Sequence, residues 1–95
     1  MAETFTRWDI NEHLRTKKDV RLYLEACAEE DPGDGSLIRA ALNDIAHAQN
    51  MSQLARDIGM TREGLYKALS ENGNPTFSTV MKITRALGMW VHIAI

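Results

Sequence analysis

The stretch Met51 to Ser70, MSQLARDIGMTREGLYKALS, leaves a chain of this length little conformational choice. Leu54, Ala55 and Ile58 make one apolar helical face, and Leu65, Ala68 and Leu69 make another. Gly59 lies between them and can take positive φ at no steric cost. Thr61 is a good N-cap for the second segment. The small side chain of Ala55 lets two short helices cross closely, with Met60 and Leu65 filling the angle. This is the pattern of a helix-turn-helix, whose second helix enters the major groove of DNA. The plain alternative is a helical hairpin inside a small bundle. Arg62, Glu63, Tyr66 and Lys67 favour the first reading, because they fall outside the apolar seam and can reach phosphates and base edges.

The chain has 95 residues, enough for one domain with a single modest core. Its 44% apolar and 25% charged content are ordinary for a soluble globular protein. No apolar run approaches a membrane span and no basic leader precedes one, so a cytoplasmic chain with no membrane partner is expected. Cys27 is the one cysteine. It falls on an apolar helical face and is expected to be a buried thiol.

A net charge of −2 counts against nucleic-acid binding, so the distribution matters. Residues 1–35 carry five basic and nine acidic side chains; residues 36–95 carry six and four. The chain therefore reads as an acidic arm and helical segment (1–35) packed on a mildly basic body (36–95). The split suits two kinds of partner, and chance variation in solvated helices also produces it.

In the acidic part, Asp9-Ile10-Asn11-Glu12 has capping-box spacing and suggests a short helix through Leu14. Asp19 to Glu30 predicts a helix with Val20, Tyr23, Leu24, Cys27 and Ala28 on one side. Glu29, Glu30 and Asp31 crowd its C-terminal end, the wrong sign for the helix dipole. Pro32 to Gly35 is a loop. Ser36 to Gln49 is the strongest helix, lined by Leu37, Ile38, Ala41, Leu42, Ile45 and Ala48, with Asn50 as a left-handed stop. Beyond the central stretch, Glu71 to Pro75 is a turn, and Thr76 caps a helix with Phe77, Val80, Ile83, Thr84 and Leu87 inward and Gly88 ending it. Met89 to Ile95 alternates like a strand. A lone strand leaves backbone groups unpaired, and pairing with a second copy through Trp90, Val91, His92 and Ile93 satisfies them. Pairing with an N-terminal strand of the same chain, or with a partner protein, is the competing arrangement. The expected fold is all-α: a bundle of five to six helices with a short C-terminal β-strand.

The run from Ala41 to Met89 resembles the HigA-like antitoxins of bacterial toxin–antitoxin (addiction) modules, which carry a lambda-repressor-like helix-turn-helix. The telling pieces are Ala46 to Ala48 leading into Met51-Ser52-Gln53-Leu54-Ala55, then Arg62 to Ser70, Gly73 to Thr76 and Ala86-Leu87-Gly88. The front end, with Asp9, Leu14, Tyr23 and Leu24, is also similar. The resemblance implies an antitoxin that neutralises a small basic toxin of the RelE/ParE type and represses its own operon. It implies that Ser52 and Gln53 meet the phosphate backbone, that Thr61, Arg62, Glu63, Tyr66 and Lys67 form the reading surface, and that Asn74 and Thr76 touch flanking backbone. Gly64 stands where this fold commonly has a longer polar side chain. Because such toxins are basic, Glu25, Glu29, Glu30 and Asp31 form the expected toxin-docking face.

A free-standing transcriptional regulator with the same fold is the alternative, and a protein-only adaptor is a third. His13, His47 and His92 share no ligand spacing, and no nucleophile set, phosphate loop or cysteine pair is present. No catalysis, cofactor or metal is expected.

Overall fold

The computed structural model describes residues 14–91, which form five helices and no strand. They are α1 (Lys17–Glu30), α2 (Ser36–Ala48), α3 (Met51–Asp57), α4 (Arg62–Leu69) and α5 (Phe77–Ala86).

The second helix is central. Leu42 and Ala46 face a cluster with Met51, Leu54, Ala55 and Ile58 from the α3 region, Leu65 and Leu69 of α4, and Ile83 of α5. Ile45 faces the other way, into a smaller cluster with Leu14 and Val20. Tyr23, Leu24, Ala48, Leu87 and Met89 close that second cluster. Leu14 and α1 are thereby packed against α2. Each fully buried leucine or isoleucine contributes about 1.5–3 kcal/mol relative to an exposed one.

Helix ends account for most of the boundaries. Thr16 and Asp19 form a capping box, so α1 begins two residues before the expected Asp19. Asn50 is extended, at φ −164°, and its side-chain oxygen accepts from the Gln53 N–H. It therefore starts α3 and is not the left-handed stop expected after α2. Both expected glycine stops hold: Gly59 and Gly88 have φ of 76° and 79°. The N–H groups of Gly59 and Met60 donate to Arg56 and Ala55, and those of Gly88 and Met89 to Arg85 and Thr84. These are Schellman closures, which satisfy carbonyls that the helix end would otherwise orphan. Lys17 reaches Gly88: a Cβ there would lie 3.1 Å from Nζ, so a cation sits at the negative end of α5.

Some sequence expectations change. Phe77 is 77% exposed, not inward, because it stands at the edge of the apolar stripe in the first turn of α5. Leu37 is also exposed, for a similar reason at the start of α2. Cys27 is half-buried beside Tyr23, not fully buried. Desolvation pushes its thiol pKa up, and the neighbouring Tyr23 opposes the shift. Met89 to Val91 have no strand pairing among the described residues, while His92 to Ile95 lie outside them, as does the Asp9–Glu12 capping box.

The turn after α4 has one strict requirement. A Cβ on Gly73 would run into the backbone of Lys67 and Ala68. Backbone cannot swing aside as a flexible side chain can, so only glycine fits. At Gly59, by contrast, the space is open and only the φ is unusual. Gly73→Ala is expected to cost about 1–3 kcal/mol, more than Gly59→Ala, read from urea midpoints of the two variants.

Candidate nucleic-acid interface

The outer face of α4 is the candidate surface whose residues the sequence brings together most closely. Leu65 and Leu69 point inward and are fully buried. That fixes the helix rotation, and Arg62, Glu63, Tyr66 and Lys67 share the opposite, exposed face. Thr61 caps the helix, its Oγ1 accepting from the Gly64 N–H at 3.0 Å. A Cβ on Gly64 would lie 2.9 Å from that Oγ1, so the glycine leaves the cap room. Glu63 in the first turn and Lys67 in the last both complement the helix dipole.

Tyr66 is 51% exposed, and its ring meets His47 edge-on at 5.8 Å between centroids. The C-terminal end of α2 thus steadies one side of the face. The sequence spacing gave no sign of this contact, since nineteen residues separate the two rings.

The other expected DNA residues are less free. Ser52 is half-buried. The Gln53 amide donates to Asp57 at 2.8 Å and accepts from Arg56 at 2.7 Å. Its side chain is therefore engaged along α3. Thr76 caps α5, accepting from the Thr79 N–H, and Asn74 is exposed in the preceding turn. Arg39, absent from the expected sites, donates from Nη1 to the Leu69 carbonyl at 2.9 Å and closes the end of α4.

The acidic face lies on α1 and the loop after it. Glu25, Glu29 and Glu30 are exposed. Asp31 is placed differently. Its carboxylate accepts from the N–H groups of Gly33, Gly35, Leu37 and Ile38. It does the capping that Gly35, at the N-cap of α2, has no side chain to do. Desolvation raises its pKa, but the four backbone bonds outweigh that and hold it below the ordinary 3.8. Behind this loop, the Tyr23 hydroxyl donates to Asp44 at 2.7 Å and ties α1 to α2. Burial, then that bond to a carboxylate, pushes the Tyr23 pKa up.

At the C-terminal end, Trp90 is 82% exposed and Arg85 lies over its ring at 5.3 Å. Val91 is exposed, and the other two residues expected at a dimer contact, His92 and Ile93, lie outside the described residues. Among the described residues no group of three or more His, Cys, Asp or Glu is placed to hold a metal ion. No helix there is long and apolar enough to cross a membrane.

Residues 4–95 match the profile of a family described as probable addiction module antidote protein. The chain belongs to that family. It is also 53% identical over 93 residues to an uncharacterized protein of Haemophilus influenzae, covering 98% of this chain and 94% of that one. No solved structure matches. Membership in the antidote family supports an antitoxin with a toxin partner and a regulatory, non-enzymatic role. The family description names neither the toxin nor any nucleic acid.

Asp31 yields a signed pH prediction. A carboxyl whose pKa is lower folded than unfolded stabilises the fold above its unfolded value and stops doing so as pH falls through the folded one. Asp31→Ala is expected to lower the urea midpoint at neutral pH. The gap to wild type should close as pH drops well below 3.8.

Proposed function

We propose that this protein is the antitoxin of an addiction module and the repressor of its own operon. The observation that carries the first half is the antidote-family match across residues 4–95. For the second half the support is the face of α4, where Arg62, Glu63, Tyr66 and Lys67 are exposed together on a helix anchored by Leu65 and Leu69. In this reading α3 and α4 are a lambda-repressor-like helix-turn-helix, as in the HigA-like antitoxins. The second helix lies in the major groove, Arg62 and Lys67 supply the cationic contacts, and Thr61, Glu63 and Tyr66 complete the reading surface. Ser52, Gln53, Asn74 and Thr76 approach the phosphates on either side.

The toxin is a small basic protein of the RelE/ParE type that meets the acidic face of Glu25, Glu29 and Glu30. Opposite charge steers the encounter more than it sets the affinity. Asp31 serves the same face indirectly, by holding the loop behind it. Two copies pair through Trp90, Val91, His92 and Ile93, which sets the spacing of two reading helices along one duplex. A free-standing regulator would need no acidic docking face and no neighbouring toxin gene.

Arg62→Ala is expected to lower affinity for the protein's own promoter about tenfold or more in a gel-shift titration at fixed salt, with helicity unchanged. Binding equal to wild type would sink the α4 reading. Glu25→Lys/Glu29→Lys/Glu30→Lys is expected to weaken capture of the product of the adjacent reading frame while promoter binding persists. Unaltered capture would remove α1 from the toxin interface. These point variants are preferable to deleting residues 1–35, which would strip Leu14 and Val20 from Ile45.

A further inference from the structure

Two aromatic rings from distant parts of the chain meet beside the exposed face of α4. His47 lies in the last turn of α2, directly after the fully buried Ile45 and Ala46. Tyr66 directly follows the fully buried Leu65 on α4. The backbone beneath each ring is therefore seated in the core, and the rings reach towards one another from two fixed points. Their planes stand at 88° with centroids 5.8 Å apart. This is edge-to-face geometry, which sets the positive rim of one ring against the negative face of the other and favours one mutual orientation.

The place of Tyr66 makes that orientation matter. It lies one turn on from Arg62 and Glu63, so it stands among the polar side chains of the face. An exposed tyrosine with no neighbour exchanges among staggered rotamers. A duplex that needs the ring in one place must then bear the cost of ordering it. With His47 alongside, part of that ordering belongs to folding and is complete before any DNA arrives. The two kinds of DNA contact respond differently to such bracing. A charge attracts a phosphate over several ångströms and tolerates movement. Hydrogen bonds and close apolar contacts to base edges weaken steeply when misaligned.

We infer that His47 is a positioning residue for promoter recognition: its ring holds Tyr66 from one side, so that Tyr66 distinguishes the promoter from other sequences. The inference rests on the α4 reading proposed above and adds a residue from a different helix, outside the surface named there. A histidine beside a duplex has a plainer role, as a cation for a phosphate, and the test separates the two.

The full chain is titrated with its own promoter and with a shuffled duplex of equal length, over a range of salt, and the ratio of the two affinities is read. His47→Ala is expected to lower that ratio about threefold or more, with the salt slope unchanged because no phosphate contact is lost. His47→Phe keeps a ring without a titratable nitrogen and is expected to keep the wild-type ratio. In a Tyr66→Ala background, His47→Ala is expected to have no further effect, since the partner ring is gone. A thermal melt checks each fold. Should alanine unseat the helix end, His47→Gln, polar and without a ring, takes its place with the same expectation. A ratio unchanged by loss of the His47 ring would overturn the inference. So would a loss in His47→Phe equal to that in His47→Ala, or an undiminished effect in the Tyr66→Ala background. A shallower salt slope with the ratio intact would assign His47 to a phosphate instead. Failure of the α4 reading looks different: wild type itself would bind both duplexes alike or neither, which removes the recognition that His47 serves.

Discussion

Everything in this chain depends on α2 being buried on two flanks at once. A surface helix buries one stripe and leaves the rest to water. Here Leu42 and Ala46 serve one cluster and Ile45 the other, and all three are 0–1% exposed. The shared helix joins α1 to the three helices that follow it. Cutting into Ile45 would loosen α1, whereas cutting into Leu42 would release α3, α4 and α5 from the same support.

The presentation of α4 follows from that support and from short-range backbone chemistry. The turn before it is closed by the N–H groups of Gly59 and Met60, and the turn after it requires the bare Cα of Gly73. Leu65 and Leu69 set the rotation from within. Arg39 closes the far end through the Leu69 carbonyl. A short helix of this kind would not be stable alone, since most helical stability in proteins comes from packing of one face. Its exposed side chains are held by what lies beneath them.

Charge is separated along the fold as well as along the chain. The carboxylates of α1 are exposed as a group, but Asp31 is not free to act with them, because four backbone N–H groups occupy it. That arrangement also answers the unfavourable acidic end of α1: the last of its acids belongs electrostatically to the start of α2, where a helix dipole favours an anion. The acidic and basic partners proposed for this protein would meet different groups of side chains, joined through one rigid helix.

Read alone, the residues determined the helical class, the turn at Gly59, the caps at Thr61 and Thr76, the stop at Gly88 and the shared outer face of Arg62, Glu63, Tyr66 and Lys67. Each of those depends on neighbours within about one helical turn, which periodicity and capping rules describe. Only the tertiary structure decided that Asp31 caps α2, that Tyr66 meets His47, that Gly73 underlies α4 and that Phe77 is left in water. Those outcomes depend on which segments approach one another in space, and no local pattern encodes the approach. The same holds for α2: its pattern shows a broad apolar side, but the division of that side between two clusters exists only once the other helices are in place.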